Sequence, residues 1–138
     1  LDKMLVTLEA AQSSGLSVWA GMTCKPNEGG EMCLRNGDPL APALAELTAR
    51  NVPLISFMHT DVAYIDACLD AAEGHWSGPI GVYAHTGGFR DNKWVFDGMI
   101  SPEDYAVASR RWLDRGVQVI GGCCGIRVEH IAKLKELV

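Results

Sequence analysis

At 138 residues, 48% of them hydrophobic, the chain holds enough material for one modest domain with its own core. A net charge of −5 with only 12 Lys and Arg leaves no basic track for a nucleic acid, and no apolar run reaches bilayer-spanning length. The five cysteines, odd in number and with Cys123 and Cys124 adjacent, argue against a secreted disulfide framework.

Leu1 stands against a helix-like stretch, 2–12, and reads as a cut end rather than a natural start. Residues 16–23 read as a strand, followed by a glycine-containing loop over 26–38. A helix is expected over 39–50, with Asp38 as its N-cap and Pro39 at its first position. Residues 52–58 form a short buried strand, and 61–73 an amphipathic helix in which Val62, Ile65, Leu69 and Ala72 recur at helical spacing. A third strand over 79–84 leads into a long polar loop, 85–100. Ser101 then caps a helix running to about Arg115, with Pro102 first, Asp104 third and Gly116 as terminator. The fourth strand, 117–120, runs into Gly121-Gly-Cys-Cys-Gly125, and a last helix is expected over 128–138.

Strands alternating with helices imply parallel strands joined by crossovers, and the repeat of about thirty residues is one βα unit. The chain thus reads as an α/β domain of four such units. Four units form either an open sheet or half of an eight-stranded barrel, and the parallel edges of an isolated half would be exposed.

Sites in such folds gather at the C-terminal ends of the strands. Each strand end here carries a Cys or a His: Cys24, His59, His85, and the pair Cys123 and Cys124. A single Cys has the plain reading of a small buried hydrophobe, and a single His that of a loop or satisfied core residue; Cys24 and His85 take that reading first. The Cys123–Cys124 pair is different, because flanking glycines free the backbone to present both sulfurs on one side. A disulfide between these neighbours is disfavoured, since adjacent Cα atoms lie about 3.8 Å apart against the roughly 4.4–6.8 Å a disulfide takes. Thiolates select zinc or a similarly soft ion, and a catalytic zinc takes three protein ligands and keeps one open position. His59, directly after a buried strand, is the expected third ligand, with Cys24 and His85 in reserve. Trp19, Trp94 and Trp112 read as packing anchors, 91–93 as a solvated loop, and His130 as facing a helix surface or the barrel wall.

The stretch from Trp112 through Gly121-Gly-Cys-Cys-Gly125 to Glu129-His-Ile131 closely resembles the end of the homocysteine S-methyltransferase domain, with Val128 where that family usually has Pro. Looser likenesses run upstream, in Val18-Trp-Ala-Gly-Met-Thr-Cys-Lys25, in Leu34-Arg-Asn-Gly-Asp-Pro-Leu40, and in Pro79-Ile-Gly-Val-Tyr83 with Gly87. The resemblance implies that residues 1–138 are a (βα)8 TIM-barrel fragment, the last four βα units of a barrel whose N-terminal half is missing. It also implies a Zn2+ cofactor and methyl transfer from a sulfonium or quaternary ammonium donor to a thiol, with homocysteine as acceptor and methionine as product; the cysteine usage, by itself, fits a reducing cytoplasm. The family's third zinc ligand is a Cys in a Gly-x-Asn-Cys run; here Ser56-Phe-Met-His59 occupies that stretch and puts His59 on the ligand position. The alternative is a divergent, non-catalytic zinc-binding barrel with a regulatory or binding role. A redox role for the Cys pair is a weaker third reading.

Overall fold

The computed structural model describes residues 1–137, apart from the side chains of Phe89 and Trp94. The packing role expected of Trp94, and Val138 at the end of the expected last helix, lie outside the described residues.

Helix α1 (Asp2–Gln12) leads to strand β1 (Ala20–Met22), which lies in the C-terminal half of the longer strand expected there. The expected loop over 26–38 contains strand pairing instead: β2 (Cys24–Pro26) lies antiparallel to β3 (Met32–Leu34). Asn27 closes this hairpin, its Oδ1 accepting from the N–H groups of Gly29 at 2.9 Å and Glu31 at 3.0 Å, an arrangement Asn side chains favour in turns. Helix α2 (Leu40–Ala49) begins one residue later than its sequence signals suggest. Pro39 is the N-cap, with extended backbone, and the Asp38 carboxylate accepts from Asn36 Nδ2 at 2.8 Å rather than capping the helix.

Strand β4 (Ile55–Asp61) passes through a single 3-10 turn, Val62–Tyr64, into α3 (Ile65–Ala72). Strand β5 (Ile80–His85) is followed by a second antiparallel hairpin, β6 (Gly88–Arg90) with β7 (Lys93–Val95), inside the stretch expected to be loop. Asp91 and Asn92 at its tip both have positive φ, the backbone that a tight two-residue hairpin turn requires. Helix α4 (Pro102–Asp114) starts as expected: Ser101 Oγ accepts from the Asp104 N–H at 3.0 Å, and Gly116 leaves with φ of 92°. Strand β8 (Val119–Ile120) and helix α5 (Val128–Leu134), extended by a 3-10 turn over Lys135–Leu137, complete the described chain.

The main sheet has the order β1-β4-β5-β8, every neighbouring pair parallel. Order in space follows order in the chain, as consecutive βα units laid side by side require. Ile55, Phe57, Val82 and Ala84 point to one face, where they join Leu44, Leu47, Ile65, Tyr105 and Trp112 in a single buried cluster. The other face is lean. A Cβ on Gly21 would meet Ser56 Oγ at 3.4 Å and one on Gly81 would meet Ser56 Cβ at 3.2 Å, so small residues from three strands meet there. Met58, 44% exposed, shares that face, and strand alternation puts Trp19, 54% exposed, on it as well. Parallel sheets are ordinarily covered on both faces. Here helices cover one.

Candidate metal centre

The centre is built where β4, β5 and β8 end. Strand β4 does not run straight to its last residue: its pairing with β5 slips between Met58 and Asp61, and His59 at the slip has φ of +53°. A bulge of this kind re-aims a side chain, and His is among the few non-glycine residues found with left-handed backbone. The neighbouring Thr60 anchors the slip, its buried hydroxyl accepting from the Cys24 N–H at 2.9 Å.

The cysteine pair is held by β5. The N–H of Gly121 donates to Val82 O at 3.0 Å, and that of Cys123 to Ala84 O at 2.9 Å. The Thr86 N–H returns a bond to Cys124 O at 3.0 Å, so strand-like pairing continues beyond β8 into the loop. Close approach, more than conformational freedom, explains the glycines. A Cβ on Gly121 would meet the Tyr83 ring at 2.8 Å; one on Gly125, which also has φ of 78°, would meet Thr86 O at 2.5 Å. From below, Tyr105 in α4 donates its hydroxyl proton to Gly121 O at 2.6 Å. Burial raises the Tyr105 pKa, which keeps that proton in place.

These two supports bring three donors together. Cys123 Sγ lies 3.4 Å and Cys124 Sγ 3.8 Å from His59 Nδ1, and the two sulfurs are 3.8 Å apart. Tetrahedral zinc, with bonds of about 2.3 Å to sulfur and 2.0–2.1 Å to nitrogen, sets its donors about 3.8 Å apart for two sulfurs and about 3.6 Å for sulfur and nitrogen. The donor set therefore fits a soft four-coordinate ion with one position left over. Among the described residues, His59, Cys123 and Cys124 form the group of potential ligands close enough to hold a metal. Both cysteines are free thiols.

The protonation states suit that use. Burial lowers the pKa of His59 below its ordinary value, and the charges of His85 and Arg35 push the same way. The neutral imidazole is the ligating form. Burial raises the pKa of Cys124, reinforced by its hydrogen bond to Cys123 and by that neighbour's charge. A metal must displace this proton, so occupancy rises with pH.

The reserve residues do not join the group. Cys24 is buried, and its hydrogen bonding to Cys68, together with burial, pushes the Cys68 thiol far up. His85 flanks the centre: its ring centroid is 4.9 Å from that of His59, and its Nε2 lies 3.9 Å from Asp61 Oδ2. Of the two positions expected for His130, a helix surface or the barrel wall, the structure rules out the exposed one. His130 is 4% exposed, its Nδ1 accepts from the Arg127 N–H at 3.1 Å, and its Nε2 lies 3.0 Å from Ile100 O, tying the start of α5 to the loop before α4. Tyr105 and Thr86 were not singled out from sequence. Tyr105 falls in the apolar stripe of α4 with Ala108 and Trp112, a pattern that signals core and says nothing of the hydrogen bond to Gly121.

The sequence profile of the homocysteine S-methyltransferase family matches residues 2–138. The chain is 26% identical over 103 residues to the homocysteine S-methyltransferase YbgG of Bacillus subtilis (strain 168), an alignment covering 73% of this chain and 33% of that protein. The chain thus spans about a third of the relative it matches. With the Gly-Gly-Cys-Cys-Gly loop at the tip of a parallel strand and the profile match over almost its full length, the chain belongs to the homocysteine S-methyltransferase family.

Proposed function

We propose that residues 1–138 are the metal-bearing C-terminal half of a (βα)8 barrel that acts in the cytoplasm as a zinc-dependent thiol S-methyltransferase. The methyl group passes from a sulfonium or quaternary ammonium donor to a thiol, homocysteine, and the product is methionine. The observation that carries this reading is the convergence of His59, Cys123 and Cys124, their donor atoms within 4.8 Å of one another, in a chain of this family. The lean sheet face and the short outer strands β1 and β8 support a second barrel half as the structural partner. The one-third coverage of the Bacillus relative agrees with that arrangement.

The chemical difficulty is that a free thiol is mostly protonated at neutral pH while the thiolate is the nucleophile. His59, Cys123 and Cys124 would hold a zinc ion, which would supply the Lewis acidity that lowers the pKa of an incoming thiol. The chain's own residues do the placing. The β5 backbone fixes Cys123 and Cys124, the bulge turns His59 toward them, and Tyr105 braces the loop from the core side. In the transfer the acceptor sulfur forms its bond to the methyl carbon as the donor's bond from sulfur or nitrogen breaks. The electron pair of the broken bond stays with the donor, which leaves neutral. Such a displacement gains most from alignment of the reacting atoms.

The test uses the whole protein. Metal analysis is expected to give about one zinc per chain, and incubation with homocysteine and an onium donor to give methionine. Cys123→Ala is expected to lose both the metal and the product. Product formation by the metal-free variant would defeat the proposal.

A further inference from the structure

A cleft of about 380 Å³ reaches the donor group at His59, which lines it, while Cys123 and Cys124 do not. His59, Asp61 and His85 line it from the strand ends, and Thr23, Lys25 and Arg35 from the β2–β3 hairpin. Register explains why both cations face it. Lys25 pairs with Cys33, and the Arg35 N–H donates to Thr23 O at 2.9 Å, which carries the pairing two residues further. Paired residues and their second neighbours share a face. Thr23, Lys25, Cys33 and Arg35 therefore share a face, Cys33 being buried, while Leu34 and Met32 point into the core with Cys24, which also touches the cleft.

The charges in the cleft are unbalanced. Two cations face one carboxylate, Asp61, whose Oδ1 already accepts from the Ala63 N–H at 2.9 Å and whose Oδ2 lies 3.9 Å from His85 Nε2. Arg50, Arg111 and Arg115 each pair with a carboxylate on the surface. The side chains of Lys25 and Arg35 form no ion pair or hydrogen bond among the described residues. The charge of Arg35 is felt at His59, so it stands within electrostatic reach of the donor group. A methyl donor of the onium type is itself a cation, and a doubly positive wall repels it unless a reactant brings an anion of its own.

We propose that Arg35, with Lys25, forms a carboxylate-recognition subsite beside the metal centre, selecting amino-acid reactants over simple thiols and simple onium ions. The guanidinium offers a planar fork that matches a carboxylate, and Lys25 adds a point charge. A site built to pair a carboxylate rejects analogues that lack it, because its cations then go unpaired. The subsite rests on the methyl-transfer reading above. The carboxylate comes from the acceptor or from the donor, and the experiment separates the two.

Isothermal titration of the zinc-loaded whole protein compares homocysteine with 3-aminopropane-1-thiol, which keeps the thiol and the ammonium and lacks the carboxylate. A second pair compares the methylsulfonium of methionine with trimethylsulfonium. Arg35→Met is expected to weaken a carboxylate-bearing ligand by at least about tenfold and to leave its carboxylate-free counterpart within about twofold, with zinc content unchanged. Arg35→Lys is expected to retain part of the lost affinity, and Lys25→Met to show a smaller loss of the same selectivity. Selective loss within the thiol pair assigns the carboxylate to the acceptor; selective loss within the onium pair assigns it to the donor. Equal effects on both members of each pair, or no effect on any, overturn the subsite while leaving methyl transfer standing. A wild-type protein that holds zinc but binds neither thiol overturns the methyl-transfer reading, and the subsite with it.

Discussion

At the rim where β4, β5 and β8 end, His59 holds a left-handed backbone, two thiols lie 3.8 Å apart, and burial works against the ionised form of Cys124. On the outer wall formed by α3 and α4, the same chain buries Trp112 and Tyr105 completely, their rings meeting edge to face with centroids 5.8 Å apart. There Asp66 of α3 accepts from Arg111 at 3.0 Å and from Arg115 at 3.3 Å, both reaching across from the α4 side. The rim accepts strain and crowds groups that a fold alone has no need to bring together; a non-glycine residue in the left-handed region costs about 1–2 kcal/mol. The wall spends its residues on apolar burial and paired charge. Tyr105 joins the two, packed in the wall by its ring and tied to the rim by its hydroxyl.

The largest effect that separates the two regions is expected from Trp112→Ala. Removing a fully buried Trp costs about 3–5 kcal/mol, seen as a lowered urea midpoint. The loss should persist in metal-free protein, because the wall does not depend on the rim. His59→Gly makes the opposite cut. It removes a left-handed penalty of about 1–2 kcal/mol and adds an unfolded-state entropy cost of roughly 0.5–1 kcal/mol. Metal-free stability should therefore stay within about 1 kcal/mol of the parent while bound zinc falls sharply. A large loss of metal-free stability would show that the bulge serves the fold first.

The smallest expected effect lies on the exposed side of the wall. Asp66→Asn should cost about 1 kcal/mol or less, and less again in high salt. Burial works against the Asp66 charge, but Arg111 and Arg115 outweigh it and hold the carboxyl below its ordinary 3.8. The sign follows: the contribution is complete above about pH 4 and is lost as pH falls below that through the folded-state value. Denaturation midpoints measured from pH 5 to pH 2 should show a steeper fall for the parent than for Asp66→Asn.

Much of this arrangement is legible in the residues themselves. Ser101, Pro102 and Asp104 announce the start of α4, and Gly116 its end, because capping is a local matter of one side chain and a few N–H groups. The four strand-end positions follow from the βα rhythm, and the close group of His59, Cys123 and Cys124 is drawn from them, with Cys24 and His85 left outside it. The hairpins β2–β3 and β6–β7 were not legible. Each strand has three residues, too few for an alternation to register, and their pairing depends on turns at Asn27 and at Asp91-Asn92. The bulge at His59 was equally hidden, since a slip in register belongs to two strands at once. His130 was left between a helix surface and the barrel wall, because only the Arg127 N–H and the Ile100 carbonyl that enclose it decide against exposure.

The reciprocal bonds between Cys123 and Ala84, and between Thr86 and Cys124, have a consequence for how the thiols meet an ion. They make the tip of the final strand a continuation of its neighbour, so the sulfurs inherit the stiffness of a sheet. A cation bound there would find Cys123, Cys124 and His59 already gathered and would have little ordering left to impose. Amide exchange at Cys123 and Thr86 should accordingly be slow before loading and nearly as slow after it.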